Sequence, residues 1–261
     1  PSYLFDFESV EGFDTDADMI GDRAELVDTA ASPGTTDPLS VESPRRRRAL
    51  YLNGDAAART RGSFLHGVSD LTEFTIEAWV RAANPAAGHM QVVLERPVWI
   101  PQGNVMGHPE GIRRNFRLGL DETGRPFVSY TGSGYDGLEY QDVTALGLHA
   151  LTADRWTHLS GSYNGTDKRL ILYVDGQMQA SIPSAERPAN GWSTPDPVYL
   201  QINPGFTFDA PMVVGAADRN PEGRVNGQQV WVGSMAGTTF TDPDLHSFFE
   251  GWVDEVRIWN G

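Results

Sequence analysis

The chain has 261 residues, of which 39% are hydrophobic and 21% charged, and its formal net charge is −15. A surface this acidic argues against nucleic acid as a partner, because phosphate binding requires clustered basic residues. No apolar run approaches the roughly 18 residues that a membrane-spanning helix needs, and the absence of cysteine excludes a disulfide frame or a thiolate metal site.

The length suits one all-β domain, since sandwiches of this class often reach it undivided. The 28 glycines and 17 prolines are typical of many short strands joined by turns. The first residues, Pro1–Phe5, already show a strand pattern, so we expect the sequence to start within a mature domain or an excised piece, without a signal peptide. We therefore expect a single domain, residues 1–261, that was excised from a larger extracellular protein and is monomeric within that multidomain chain.

Alternation of apolar with polar residues, which is typical of strands that bury one face, predicts most of the secondary structure. The segments with this pattern are, in chain order, 3–8, 24–27, 49–54, 74–81, 91–95, 116–120, 127–130, 156–163, 169–179, 212–215, 230–232 and 248–260. Long loops are expected at 9–48, 97–114, 131–147, 186–209 and 218–244. No helix longer than a turn or two is predicted, so the pattern favours two antiparallel sheets packed face to face.

The C-terminal segment alternates most clearly. Its period of two predicts that Asp254 points to the same side as Val256 and Ile258, which we expect to be buried together with Trp79 and Val174. A carboxylate among buried side chains costs several kcal/mol unless a partner or a cation satisfies it. Asp254 is therefore the strongest single candidate for a functional residue.

This segment, G-W-V-D-E-V-R-I-W-N at 251–260, resembles the closing strand of laminin-G-like jelly rolls of the concanavalin A-like lectin/glucanase superfamily. F-T-I-E-A-W-V at 74–80 resembles a second motif of that family. W-T-H-L at 156–159, with Y-N-G at 163–165 and L-Y-V-D-G at 172–176, resembles a third. The resemblance implies an all-β, two-sheet antiparallel jelly-roll sandwich. It says little about function, because this fold hosts lectins, hydrolases, adhesion modules and inert spacers.

In related jelly rolls an aspartate at the position of Asp254 holds a structural calcium, and the resemblance implies the same role here. In those relatives, backbone carbonyls near the first strand and before the second strand complete the site. The corresponding regions of this chain are residues 6–8 and 45–48. Calcium prefers several oxygen ligands in flexible geometry, and Asp6 is a weaker candidate for a side-chain ligand. The alternative is that Asp254 accepts backbone N–H bonds at a strand end.

Two other charged segments are weaker candidates for ion binding. Asp14, Asp16, Asp18 and Glu25 have part of the spacing of an EF-hand calcium loop, but a methionine replaces the glycine of its sharp turn. A solvated acidic loop is the simpler interpretation. The four arginines at 45–48 suggest an anion site for sulfated or uronic sugars, yet runs of like charge usually face water, and we favour that interpretation.

Hydrolytic chemistry has little support. Glycoside hydrolysis needs two carboxyls about 5 to 9 Å apart, and the resemblance implies that they would stand on one strand as E-x-D-x-x-E. Glu73 and Glu77 lack the central aspartate, and the carboxylates of the last strand have the wrong spacing. There is no G-x-S-x-G, and the histidines lack zinc-ligand spacing. His158, inside a predicted strand, is interpreted as a structural side chain.

Aromatic residues in the predicted loops are the candidates for ligand binding, because sugar rings stack on exposed aromatic side chains. We single out Trp192, Trp99 and Tyr135. The alternative is that such residues bury themselves and pin their own loops, which we favour for Phe206 and Phe208.

The sequence therefore predicts a non-catalytic recognition module with a structural calcium, in the extracellular space or at the cell surface of a bacterium. Its expected ligand is a glycan or another extracellular macromolecule. A structural spacer or adhesion module without a small-molecule site is the first alternative. A carbohydrate-active hydrolase is the second.

Overall fold

The computed structural model describes the backbone of residues 2–5, 24–28, 39–41, 49–60, 73–100, 111–132, 142–184, 188, 206–207, 212–219, 222–225, 228–231 and 244–260. Side chains are described for 49–59, 73–97, 114–132, 142–184, 188, 212–219 and 244–259. The regular elements in these ranges are all strands. Within them, no helix has the length and apolar character that crossing a membrane requires.

One large sheet has eight strands and contains both the first and the last strand of the chain. In spatial order its strands are β13 (Gln177–Pro183), β12 (Arg169–Val174), β11 (Thr157–Asn164), β6 (Phe74–Ala82), β20 (Glu250–Asn260), β4 (Ala49–Asn53) and β3 (Leu39–Val41), with β1 (Ser2–Phe5) also paired to β20. All of these pairs are antiparallel.

The second large sheet has seven strands. In spatial order they are β10 (Asp142–Leu146), β9 (Pro126–Thr131), β8 (Gly111–Leu120), β7 (Gln91–Ile100), β15 (Val213–Val214), β5 (Ala56–Thr60) and β2 (Ala24–Asp28). Two small sheets accompany it, one of β14 (Phe206–Thr207), β17 (Glu222–Val225) and β18 (Gln228–Trp231), the other of β16 (Ala217–Asp218) and β19 (Leu245–His246).

The core lies between the two large sheets. On β6, buried and partly exposed residues alternate along the whole strand, so that one face turns inward, as the period of two requires. The inward residues of β6 form one hydrophobic cluster with side chains of the seven-stranded sheet, among them Leu94, Phe116, Leu118, Val128 and Tyr130. This arrangement confirms the predicted all-β sandwich of two antiparallel sheets.

Gly161 on β11 shows how closely the two sheets pack. A Cβ atom at this position would lie 2.3 Å from Cγ2 of Val128 on β9, in the opposite sheet. Because no side chain fits in that space, the glycine lets the central strands of the two sheets approach each other.

Several predicted boundaries differ from the structure. β3 lies within the loop expected at 9–48, β5 in a segment where no strand was expected, and β10 within the loop expected at 131–147. The loop expected at 97–114 is shorter, because β7 runs to Ile100 and β8 begins at Gly111. The single strand expected at 169–179 is divided into β12 and β13 by a turn at Asp175 and Gly176, both of which have positive φ. Glycine and aspartate adopt this conformation more readily than most residues, so the sequence does carry a turn signal here.

The burial predictions are half right. Val256 and Ile258 are 0% exposed and belong to the core cluster, as expected. The prediction for Trp79 is wrong, because it alternates with core residues of β6 and therefore lies on the outer face of the eight-stranded sheet, where it is half-buried. Val174 is also only half-buried, at the end of β12, although it does pack against the core.

Candidate functional site

The pairing of β20 changes at Asp254. On one side β20 pairs along its length with β6. On its other side it pairs with β4 as far as Val253 and with β1 from Val256, which lies opposite Phe5. Asp254 and Glu255 therefore lie between the part of β20 that pairs with β4 and the part that pairs with β1.

A β-bulge at this interval reverses the predicted facing of Asp254. The register with β6 shifts between Asp254 and Arg257, and Glu255 has a positive φ of 47°, which fits a bulged position. Val253 belongs to the core, whereas Asp254 is paired with Trp79 on the outer face. The expected alternation thus holds on either side of the bulge but not across it.

Asp254 is nevertheless fully buried, with 0% exposure. Its Oδ1 atom accepts a hydrogen bond of 2.8 Å from the backbone N–H of Glu255. A buried carboxylate requires hydrogen bonds or a cation. The position therefore suits either a calcium ligand or a carboxylate that accepts backbone N–H bonds.

The other predicted metal ligands lie outside the described residues. Asp6 directly follows Phe5, the last residue of β1, and the arginines at 45–48 directly precede Ala49, the first residue of β4. Asp14, Asp16 and Asp18 are also outside the described residues. In the part of the chain that is described, no group of three His, Cys, Asp or Glu residues could hold a metal ion.

Beyond Asp254, an ion-pair network continues along the same outer face. The Oε1 atom of Glu77 lies 3.3 Å from Nη1 of Arg257, and its Oε2 atom lies 3.3 Å from Nε2 of His158. Arg257 also pairs with Glu255 through Nη2, at 2.8 Å. The hydrogen bond from His158, helped by Arg257, holds the pKa of Glu77 below its usual range. A carboxyl kept ionised in this way is a poor general acid.

Aromatic rings next to this network contact each other. The guanidinium of Arg81 lies 4.4 Å from the centroid of the Trp252 ring, within cation–π range, and the Tyr51 ring is 4.9 Å from the same ring. The rings of Trp79 and His158 are 5.1 Å apart. His158 is thus packed against Trp79 and paired with Glu77 on the outer face, contacts that agree with its interpretation as a structural side chain.

The outer face of the seven-stranded sheet is built differently. A transverse row of side chains in matched register crosses six of its strands, with Thr144, Ser129, Arg117, Glu95, Val213 and Arg59 in that order. Apart from Thr144, these residues are buried. Leu245 and Phe248 pack against the small cluster of Ala57, Val213 and Ala216 beside the row.

Glu95 is the centre of this row and is 0% exposed. Arg117 contacts its carboxylate through both Nε and Nη2, Nε of Arg114 is 3.6 Å away, and the backbone N–H of Asp218 donates to Oε1 at 3.2 Å. Burial lowers the pKa of Arg117. These contacts hold the sheet together, and their low exposure keeps the pair away from a soluble ligand.

Sequence reasoning did not anticipate this buried network. Alternation on β8 predicts that Arg117 faces away from Phe116 and Leu118, but it cannot predict that β7 brings Glu95 opposite. Strand register is a tertiary property that turn geometry and packing decide.

The predicted ligand-binding residues remain predictions. Trp192 and Tyr135 lie outside the described residues. Trp99 lies in β7, opposite Ile112, and not in a loop as expected; its side chain is not among those described.

The sequence profile of the concanavalin A-like lectin/glucanases superfamily, in its laminin-G-like form, matches residues 52–210. Because the match covers more than half of the chain, the chain belongs to this superfamily. No curated protein matches it.

Solved structures agree on the fold. Domain 4 of an extracellular arabinanase from Geobacillus stearothermophilus, in complex with arabinotriose, aligns with a TM-score of 0.53 and 16% identity over 100% of this chain and 91% of that one. The receptor-binding domain of a botulinum neurotoxin mosaic of serotypes C and D aligns with a TM-score of 0.51 and 10% identity, over 99% of this chain but only 46% of that one. At such low identity these likenesses show the fold alone.

Proposed function

We propose that the domain is a non-catalytic glycan-recognition module of an extracellular bacterial protein. The proposal rests on one observation: the fold is that of a lectin and glucanase superfamily, yet Glu77, Glu95 and Glu255 are each held by an arginine. Glycosidases need one carboxyl with a raised pKa as a general acid. The pKa of Glu77 is shifted the opposite way.

A structural calcium at Asp254 is part of the proposal. Asp254 is buried at the bulge. One edge of β20 there faces the interval between the end of β1 and the beginning of β4, and the other edge pairs with β6, so segments from three other parts of the chain border it. Asp6 would supply a second carboxylate and the carbonyls of 6–8 and 45–48 the remaining oxygens, a donor set that suits calcium. The ion would join the two ends of the chain and balance the charge of Asp254.

A glycan array tests the recognition function, run with the purified domain in calcium and again in chelator. The panel should include arabinan, galactan, xylan, β-glucan and sialylated glycans. We expect binding to at least one of these classes, with weaker binding in chelator. If no class binds in either buffer, the glycan-recognition proposal is wrong.

The absence of catalysis has its own test. A reducing-sugar assay on the same polysaccharides should show no release that scales with protein concentration. Release that scales with protein and persists in an independent preparation would contradict the proposal and favour the hydrolase alternative.

One observation favours the alternative of a structural spacer. The Trp252 ring, on the outer face, already contacts the guanidinium of Arg81 and the tilted ring of Tyr51, and it is half-buried. A ring engaged in this way stabilises the sheet and is less available to a sugar. The array separates this alternative from recognition.

A further inference from the structure

Two neighbouring rows of side chains cross the outer face of the eight-stranded sheet, from β20 to β13. Strand register places them side by side. The first row is Trp259, Thr75, Ser162, Ile171 and Ser181; the second is Arg257, Glu77, Ser160, Tyr173 and Met178. Four inter-strand spacings make each row about 19 Å long.

Side-chain size varies along these rows, and apart from Glu77 the residues that β6 and β11 contribute are small. Thr75, Ser160 and Ser162 on β6 and β11 have small side chains with hydroxyl groups and are partly exposed. On one side of them stands Trp259, which is 41% exposed and is the most exposed aromatic residue among the described side chains. On the other side stands Tyr173. We call this surface the outer trough, with the three hydroxyl residues as its floor.

The outer trough carries no net charge. Its only charged side chains are Arg257 and Glu77, which pair with each other at 3.3 Å. Both are partly exposed, with 26% and 18% of their side-chain surface accessible, so their free donors and acceptors reach solvent.

We propose that the outer trough binds an uncharged glycan chain, with a sugar ring stacked on Trp259. An exposed indole offers a flat apolar surface for the C–H face of a sugar ring. The hydroxyls of Thr75, Ser160 and Ser162 both donate and accept hydrogen bonds, which matches the hydroxyls of the ligand. The Glu77–Arg257 pair adds one acceptor and one donor group. This inference rests on the proposed glycan recognition and assigns it a surface and a ligand class.

Charge argues for an uncharged ligand over an acidic one. A uronic or sialic carboxylate would meet no unengaged basic group in these rows, because Arg257 is paired with Glu77 and Glu255 and the guanidinium of Arg169 donates to Ser181. The molecule as a whole is already strongly acidic. In the transverse row of the other sheet, Arg117 and Arg59 are each only 6% exposed, so these two arginines are not available to an acidic sugar.

The outer trough also adjoins the proposed calcium position. Arg257 is held by Glu255, and the backbone N–H of Glu255 donates to Asp254. A substitution at Asp254 would therefore also alter the position of Arg257, at the charged end of the outer trough, because Glu255 in the bulge contacts both residues.

Titration of arabinan, xylan and β-glucan against the intact domain, followed by calorimetry, tests the proposal. Trp259→Ala removes the stacking surface and should weaken binding about tenfold or more. Ser162→Tyr keeps Trp259 but fills the floor and should have a similar effect. Leu148→Ala is the matched control, since Leu148 is 66% exposed and lies outside both rows; its affinity should stay within about twofold of the wild type. Melting curves show whether each variant is folded.

The outcomes separate this inference from the function on which it rests. If the wild type binds a neutral polysaccharide and both trough variants bind it equally well, glycan recognition stands and the outer trough is the wrong surface. If only acidic glycans bind, the ligand class is wrong. If the wild type binds no glycan at all, both proposals fail. If Trp259→Ala changes the sedimentation mass while glycan binding is unchanged, the surface serves self-association and the inference is overturned.

Discussion

The two outer faces of the sandwich use charge in opposite ways. On the seven-stranded sheet, Glu95 and Arg117 form an ion pair at 0% and 6% exposure. On the eight-stranded sheet, Glu77 and Arg257 pair at 3.3 Å while both remain accessible to solvent. Both pairs join neighbouring antiparallel strands in register, so local geometry does not explain the contrast. What differs is how much of each pair other parts of the chain shield from solvent.

This difference separates a structural role from a recognition role. A charge pair shielded from water depends on its partner for nearly all of its solvation, so breaking it is costly. A pair in contact with water contributes little to stability and keeps hydrogen-bonding capacity for a ligand. We therefore assign the buried pair to the fold and the accessible pair to the proposed recognition surface.

The largest expected effect comes from breaking the buried pair. Arg117→Met should reduce the free energy of unfolding by about 3 to 5 kcal/mol, because it leaves Glu95 buried with only weaker partners. Urea unfolding measures the change. The double variant Glu95→Leu/Arg117→Met should recover part of the loss, since no uncompensated charge remains, although the bond from the Asp218 amide is absent. A single variant as stable as the wild type would show that water reaches this face.

The second prediction compares the two sides of β20. Ile258→Ala should cost about 2 to 5 kcal/mol, because Ile258 is a fully buried core residue. Trp259→Ala, one residue further along, should cost much less, since that side chain is 41% exposed. Equal losses in chemical denaturation would mean that the facing of the strand after the bulge is wrong.

Calcium removal should have an intermediate effect. A ligand that binds only the folded state at a hundred times its Kd stabilises by about 2.7 kcal/mol. Chelator should therefore lower the melting temperature of the wild type, and Asp254→Asn should lower it in calcium while changing little in chelator. If the wild type melts at one temperature in both buffers and no metal copurifies, Asp254 is a carboxylate that accepts backbone N–H bonds.

The smallest effect is expected from acid titration of the accessible pair. The folded-state pKa of Glu77 lies below its ordinary value of 4.5, because His158 and Arg257 favour the ionised form. Ionised Glu77 therefore contributes its full stabilisation above its ordinary pKa of 4.5. This contribution is lost as the pH falls from there through the lowered folded-state pKa. Because the pair is exposed to solvent, this contribution to the free energy of unfolding is about 1 kcal/mol or less.

Glu77→Gln should accordingly flatten the acid side of the stability curve slightly, and Glu122→Gln, at an exposed turn position, is its control. Unfolding midpoints between neutral and acidic pH measure both. Identical acid limbs for the wild type and Glu77→Gln would show that the pair with His158 does not form in solution.

Local pattern predicted the sandwich well because burial of one strand face is a local property. The alternation in 74–81 and 156–163 correctly identified β6 and β11, and the resemblance on these segments correctly named the superfamily. The same logic failed across Asp254, because one extra residue in a bulge turns every later side chain to the other face. It also placed Trp79 in the core, since hydrophobic character alone does not say which of two sheet faces a residue lines.

The amino-acid sequence by itself determined the class of fold and the order of the main strands, and it singled out Asp254, a carboxylate that the structure buries. Period-two alternation and turn residues carry that information within short windows. Only the tertiary structure decided which charges meet and which of them are covered. Glu95 meets Arg117, and Glu77 meets both Arg257 and His158, through strands distant in the chain. Exposure depends on what packs over each sheet, and no local pattern encodes that.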